Sequence, residues 1–445
     1  MSDYAQDIRD QQAADLKRAA LAIASKRATN CDNGDPDWQT RLIYNGAKHP
    51  TAKAVLANAA TPFRHSPEWF GALAYDEFAL RVVPVKYLPW GAAKTPRWTD
   101  NDDRLATEWL HHKGIFVGVE TAGLAVQTVA MENGFHPVRH YLESLEWDGV
   151  ERLKNWLTTY AGAPDTPYFS AVGARWMIAA IARIFRPGCK ADCMLILEAV
   201  QGALKSTLFK TLGGNWYTDE IADLGTKDSA MQTAGVWIIE VAELDSMSRS
   251  ESGRIKAFMS RTTDRFRPPY GRQVIEAPRQ CVFAGTVNHA SYLKDETGGR
   301  RFWPVACGRI DIDALARDRD QLWAEALKLF RDGAKWWLDT DELNRQADAQ
   351  QQERYEGDAW DELIARWIAN PEQRTDASGH PLQPFTSTDE SVTVTDVLIH
   401  AIGKRPEAWT QADQSRVARS LKSLHWERYK RRVGTNFAWH YRRDT

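Results

Sequence analysis

Cysteine is scarce. Five thiols in 445 residues (Cys31, Cys189, Cys193, Cys281 and Cys307) are too few and too scattered for a disulfide framework. Cys189 and Cys193 are spaced by three residues with no second Cys/His pair nearby, so they read as ordinary thiols rather than zinc ligands. No apolar run approaches the roughly 20 residues that a membrane span needs. The N-terminal stretch MSDYAQDIRDQQAADLKRAALAIASKR mixes acids with bases and lacks an apolar h-region, so neither a signal nor a transit peptide is expected, and the chain reads as cytoplasmic. An excess of either charge is missing as well. The formal net charge is −2, and taken over the whole chain it gives no hint of a polyanionic partner. Internal repeats are absent, which excludes a solenoid.

Tryptophan is the abundant residue: 19, more than the 15 Phe or the 13 Tyr. Trp156, Trp176, Trp237 and Trp323 lie in apolar or helical runs and read as core. With 43% hydrophobic and 26% charged residues, the chain has the composition of a globular protein. Its length suggests roughly three domains and cores large enough to form without staples.

A helix is expected over 5–27, which holds no Gly or Pro. Turn signals mark 38–104, and Thr99 or Asp100 caps a helix through LATEWLHH. GLAVQTVAMEN is another helix, and two more are split at Trp147-Asp148-Gly149. The apolar segment TPYFSAVGARWMIAAIARIFRPG reads as a buried helix. From about 190 the texture changes. CMLILEA, VWIIEVAEL, RQCVFAGTVN and RRFWPVAC are short apolar runs with the look of buried strands, and helices alternate with them. That pattern implies an α/β layered domain with parallel strands. A helix-prone stretch follows to 369, residues 371–390 read as a linker, and the last 55 residues form their own unit.

The first chemical signal is Gln201-Gly202-Ala203-Leu204-Lys205-Ser206-Thr207, between a buried strand and a helix. There, loop and helix-start N–H groups face the phosphates of a nucleotide such as ATP, Lys205 adds a point charge, and the Ser206 hydroxyl can ligate Mg²⁺. Two positions depart from the standard phosphate-loop pattern. Ala199 stands at the first Gly, and Leu204 stands before the lysine, where positive φ is expected. The loop is therefore expected to close differently or to bind less tightly. A chance GxxKST at a helix start is the plain alternative.

Three further signals follow in strand order. The second strand delivers Glu240, with Glu243 three residues on, where a metal-orienting acid and a water-activating base belong. The third strand ends at Asn288, an amide able to orient water or the γ-phosphate. Gly298-Gly299-Arg300-Arg301 then offers paired arginines suited to stabilising charge across a subunit interface, with Trp303 as their anchor. Together the four signals point to a ring-type ATPase.

The run LEAVQGALKST…VWIIEVAEL…IKAFMSRTTDRFRPPYGRQVIEAPRQCVFAGTVN…DETGGRRFWPV resembles the virulence-associated protein E family, closely over about 190–310 and more loosely back to about residue 40. Its members look like the helicase part of phage and mobile-element primase–helicases of the superfamily-three type. The resemblance implies an AAA+-like P-loop core. Lys205 and Ser206 then become the phosphate-loop lysine and magnesium hydroxyl, with Glu240 and Glu243 as the acidic pair. Asn288 becomes the polar sensor, and Arg300 the arginine finger with Arg301 close behind. With no room in these residues for the primase domain of some relatives, priming, if needed, is expected from another protein.

Two segments depart from the neutral average. Arg249–Arg272 holds seven Lys/Arg against two acids, and Asp264–Arg267, a Pro-Pro-Tyr-Gly turn and Arg272–Ala277 read as a β-hairpin. The resemblance to superfamily-three helicases implies that this hairpin lines a ring channel, where Tyr270 and Arg272 at its tip, with Arg265 and Arg267, would meet single-stranded DNA. A solvated basic loop is the bland alternative. Residues 391–445 hold eleven Lys/Arg against five acids. A helix near 395–403, a second from Thr410 to Leu424 with Asp413 completing a capping box, and a hairpin with Phe437, Trp439 and Tyr441 turned inward read as a winged helix-turn-helix. Arg416, Arg419 and Lys422 on its second helix, and Arg431 and Arg432 in the wing, are the candidate DNA contacts, with protein contacts as the alternative use.

The expected organisation is a mostly helical N-terminal region (1–165), a P-loop ATPase core (166–335), a helical segment and linker (336–390) and a winged-helix domain (391–445). The expected function is an ATP- and Mg²⁺-dependent DNA helicase or translocase. It would be a homo-oligomer, a hexamer in this reading, with ATP between subunits, acting in phage or mobile-element replication. It would act on single-stranded DNA in its channel and on duplex through the winged helix. The alternatives are a DNA-binding initiator or regulator with a degenerate ATPase, and an ATP-assembled scaffold.

Overall fold

The computed structural model describes residues 34–46, 49–91, 97–220, 227–244, 249–267, 273–288, 292–293, 299–354, 358–376, 378–382, 391–433 and 436–443. The helix expected over 5–27, Cys31, Tyr270, Arg272, Gly298 and the Gly434-Thr435 turn lie outside them. Two compact units divide the chain. One takes the described residues of Met1–His289 and Arg300–Ala347, the other those of Ala290–Gly299 and Asp348–Thr445.

The first unit begins with a short hairpin of β1 (Tyr44–Asn45) and β2 (Thr51–Ala52), followed by α1 (Leu56–His65). β3 (Leu73–Asp76) pairs antiparallel with β4 (Arg81–Pro84) and, across α2 (Asp100–His112) and α3 (Val119–Met131), parallel with β5 (Gly134–Phe135). The region expected to be mostly helical therefore also holds a three-stranded mixed sheet. Thr99 caps α2 in a capping box with Asp102. Trp69, fully buried, centres the local core, its ring 4.6 Å from Phe63 and 5.6 Å from Trp109.

α4 (Pro137–Glu143), α5 (Trp156–Ala161) and α6 (Pro167–Phe185) lead into the main α/β layer. Its elements are β6 (Met194–Glu198), α7 (Lys205–Gly213), β7 (Tyr217–Thr218), α8 (Lys227–Gln232), β8 (Ile238–Val241) and α9 (Arg249–Met259). Then come β9 (Thr263–Phe266), β10 (Ile275–Pro278), β11 (Val282–Val287), β12 (Phe302–Ala306) and α10 (Ile312–Arg331). Five strands form one sheet in the order β12-β6-β11-β8-β7, every pairing parallel. Every residue of β6, β8 and β11 is buried, which explains why these strands read as continuous apolar runs rather than alternations. Because the pairings are parallel, the carboxyl ends of β6, β8 and β11 open on one edge, where ligands bind such sheets.

α6 is the buried helix expected over 166–188. By length and composition it could cross a membrane, yet 78% of its apolar window is buried inside the protein. It packs on β6 and β11, and Trp176 donates from Nε1 to the Phe283 carbonyl at 2.7 Å. The sheet, not lipid, covers its apolar surface. Trp156, Trp176, Trp237 and Trp323 are all buried in this core, as expected. β9 and β10 pair as the expected antiparallel hairpin, its base fixed by a buried ion pair between Arg279 and Asp264 at 2.6 Å.

The boundary between the units falls within α11 (Asp341–Glu353). The second unit contains α12 (Ala359–Ala369), α13 (Val394–Asp396, continuing as a π-helix over Val397–Ile402), α14 (Gln411–Ser423) and the antiparallel pair β13 (Trp426–Val433) and β14 (Asn436–Arg443). Thr410 and Asp413 form the expected capping box of α14. Ile364 and Trp367 of α12 share one core with Val397, Val417, Leu421, Trp426 and Tyr441, so a helix assigned on sequence to the preceding segment belongs here. The expectation that Phe437, Trp439 and Tyr441 all turn inward holds only for Tyr441. Phe437 is 71% exposed and Trp439 46%, because the hairpin runs on past the small core that its base covers.

His136 links the N-terminal elements to the main sheet. Its Nδ1 accepts from the Arg139 N–H at the start of α4, so the ring proton is assigned to Nε2, which faces Gln280 Oε1 at 2.7 Å. Burial lowers its pKa from 6.5 to about 4. Below pH 6.5 the unfolded chain takes up a proton that the folded chain refuses, so this contribution is complete above pH 6.5 and is lost as pH falls toward 4, by about 3 kcal/mol. Urea unfolding across that window should show the loss in the wild type and a flatter profile in His136→Asn, which keeps a capping acceptor. Equal losses in both would remove His136 as the cause.

Candidate functional site

The candidate site is assembled on the edge where β6, β8 and β11 end. After β6, the chain turns through 199–204 and enters α7 at Lys205. Gly202 takes φ 83°, and Leu204 takes φ 66°, ψ 21° as the N-cap residue. The left-handed conformation that glycine supplies freely is thus adopted by a leucine, at a cost of roughly 1–2 kcal/mol. Of the two expectations, a different closure or weaker binding, the conformation excludes the first. The loop closes in the left-handed conformation and carries the strain, offset in part because Leu204 packs against the main core.

Lys205 is buried, and its Nζ donates to the carbonyls of Ala199 (2.6 Å) and Val200 (3.1 Å) and to Asn288 Oδ1 (3.1 Å). The ammonium is therefore held over its own loop. Ser206 Oγ donates to Glu240 Oε1 at 2.7 Å. Glu240, 1% exposed on β8, also accepts from Thr286 Oγ1 (2.7 Å) on β11 and from the Tyr217 hydroxyl (2.6 Å) on β7. Three hydroxyls from three elements fix one carboxylate beside the start of α7. Burial, then the hydrogen bond and charge of Glu240, push the Tyr217 pKa far upward, so the phenol stays a donor.

Lys205, Ser206, Glu240 and Asn288 are thus brought together as the strand order suggested. Glu243 lies just past β8, exposed, with φ 53°. Leu204 and Glu243 are two of four non-glycine residues with positive φ among those described, and both border this edge. Thr286 and Tyr217 escaped the sequence reading. Thr286 carried a signal, being a hydroxyl in the otherwise apolar run Val282–Val287. Tyr217 sits on a two-residue strand that no pattern marks.

Arg300 and Arg301 are not part of this cluster. They precede β12, and Asp192, which accepts from Arg301 Nε at 3.2 Å, precedes β6, so the arginines lie at the amino ends of the same parallel strands. There they border a cavity of about 490 Å³ lined also by Lys190, Asp192, Cys193 and Trp303. Trp303 is buried and lines the same cavity as the pair. Cys189, Cys193, Cys281 and Cys307 are free thiols, and burial pushes Cys193 up to about 12.

Of the expected DNA contacts, Arg265 is exposed and paired with Glu276 at 2.6 Å across the β9–β10 hairpin, and Arg267 is exposed just past β9. Arg416 is a correction. Its guanidinium grips Asp358 Oδ1 and Oδ2 at 2.6–2.8 Å and lies 4.1 Å over the Trp360 ring, so it ties α14 to α12 rather than facing outward. Arg419 is half-buried, Lys422, Arg431 and Arg432 are exposed, and Arg431 donates to Ser391 Oγ at 3.0 Å.

Fold and site together define a parallel α/β domain that gathers a lysine, a serine, a buried carboxylate and an amide at the carboxyl ends of its strands. Residues 142–356 of the chain match the family model of the virulence-associated protein E-like domain, which spans this site and shows the resemblance drawn from the motif string. Among solved structures, an apo form of the NrS-1 C-terminal region is similar at 11% identity, over 83% of this chain and 95% of that one, with a TM-score of 0.45. A second apo form of that region matches at 10% identity, over 84% and 96%, with a TM-score of 0.43. No curated protein matches the sequence.

Tyr217→Phe deprives Glu240 Oε2 of a charge-assisted bond and is expected to lower stability by about 1.5–3 kcal/mol in denaturant unfolding. An unchanged midpoint would mean that the phenol does not hold the carboxylate.

Proposed function

We propose that the chain is an ATP-dependent DNA helicase or translocase that acts in phage or mobile-element replication, in the cytoplasm. The observation that carries this is the join of Lys205, Ser206, Glu240 and Asn288 around a loop that enters a helix. The N–H groups at the start of α7 and the Lys205 ammonium bind phosphate oxygens. Ser206 and Glu240, already 2.7 Å apart, fit a magnesium ion bound with ATP. The chemistry Mg²⁺ supplies when bound is neutralisation of phosphate charge. Asn288 orients the γ-phosphate or water, and Glu243 accepts the proton of the attacking water.

Arg300 and Arg301, at the opposite strand ends, act on the nucleotide of a neighbouring subunit, which makes a ring, a hexamer in this reading, the working form. Single-stranded DNA runs past the β9–β10 hairpin. The second unit, with α14 followed by a two-stranded wing, serves as a winged-helix DNA module in which Arg419, Lys422, Arg431 and Arg432 contact phosphates. A second reading, an initiator or regulator with a weak ATPase, is favoured by one feature: the strained Leu204 where glycine would be relaxed.

Lys205→Ala should reduce DNA-stimulated ATP turnover by about a hundredfold or more. Full turnover in that variant would sink the enzymatic reading, and negligible turnover in the wild type with intact DNA binding would favour the regulator. Mixing Lys205→Ala protomers with Arg300→Ala/Arg301→Ala protomers should restore part of the activity, since each mixed interface supplies the group the other lacks.

A further inference from the structure

The β13–β14 hairpin carries a surface that its fold does not require. Its register sets Arg428 opposite Tyr441, Lys430 opposite Trp439, and Arg432 opposite Phe437. Alternation puts all six on one face. At the base Tyr441 is buried, and it anchors the face to the core of the second unit. Beyond it, Trp439 is 46% exposed and Phe437 71% exposed, and Arg428, Lys430 and Arg432 are exposed around them. The Arg428 guanidinium lies 3.9 Å over the Trp439 ring and the Lys430 ammonium 5.1 Å from it. The eight residues of this face, Trp426, Arg428, Lys430, Arg432, Phe437, Trp439, Tyr441 and Arg443, include no acid.

We propose that this face is a stacking platform for single-stranded DNA, with Trp439 and Phe437 each taking one base and Arg428, Lys430 and Arg432 following the backbone phosphates. It deepens the proposed function, on which it rests for the identity of the ligand. Two exposed rings at alternate positions of one strand lie about 7 Å apart, and each has a cation directly across the ladder. Rings attract any base through its π-face and cations attract the backbone, the pairing that holds single strands without reading sequence. Duplex DNA keeps its base faces stacked and offers only edges, so exposed rings of this kind suit unpaired bases. The cation–π contact of Arg428 holds the indole in place before a base arrives. On α14, Arg416 is taken by Asp358, which leaves the hairpin face as the denser cluster of exposed cations.

The test uses the full chain without nucleotide, so its outcome is independent of whether the chain hydrolyses ATP. Fluorescence anisotropy would follow a labelled oligothymidylate of about 20 nucleotides and a duplex of equal length over a range of salt concentrations. The single strand is expected to bind more tightly than the duplex. Phe437→Ala/Trp439→Ala should weaken single-strand binding about tenfold or more with an unchanged slope of log affinity against log salt, whereas Arg428→Ala/Lys430→Ala should lower that slope by about 1.4. Phe437→Tyr/Trp439→Phe should stay within about threefold of the wild type. Phe437→Ala alone, at a position too exposed to carry the fold, should show a smaller loss in the same direction and keeps the test valid if the double variant unfolds. Wild-type affinity in the aromatic variants, or equal losses for duplex and single strand, would overturn the proposal. A drop in oligomeric mass with unchanged DNA affinity would assign the face to a second copy of the chain and overturn it as well.

Discussion

The Glu240 carboxylate is the group on which the arrangement turns. Burying a lone carboxylate costs several kcal/mol, and here three hydroxyls offset that cost. Ser206 comes from α7, Thr286 from β11 and Tyr217 from β7. Each charge-assisted bond contributes about 1.5–3 kcal/mol, enough for the set to hold the ion in place. The same bonds fix the start of α7 against the sheet and set Lys205 over its loop. Remove the carboxylate, and the helix start, the central strand and the edge strand lose their common partner.

Strain accompanies this order. Leu204 and Glu243 both adopt backbone that favours glycine, one at each side of the cluster. Distance then divides the labour. The parallel sheet puts the lysine, serine and carboxylate at one end of its strands and the arginine pair at the other.

Much of this was legible in the sequence because buried parallel strands announce themselves. Met194–Glu198, Ile238–Val241, Val282–Val287 and Phe302–Ala306 are each predominantly apolar, and polar residues within or just after the first three, Glu240, Thr286, Lys205 and Asn288, form the cluster. Capping boxes at Thr99 and Thr410 were equally plain. Tertiary pairing was not legible. Tyr217 reaches Glu240 from a two-residue strand, and Arg416 reaches Asp358 across 58 residues, so no local pattern reveals either. Alternation along 437–441 identified one face of the hairpin but could not say where the core beneath it stops. A leucine in left-handed backbone ran against propensity and was overruled by the loop it closes.

Isothermal titration calorimetry of ATP, with and without Mg²⁺, on the wild type and Ser206→Ala tests the central claim most directly. Magnesium-dependent binding at about one ATP per chain in the wild type, with the magnesium dependence lost in Ser206→Ala, is the result this account predicts. Absence of ATP binding by the wild type, or binding that ignores both magnesium and Ser206, would contradict it.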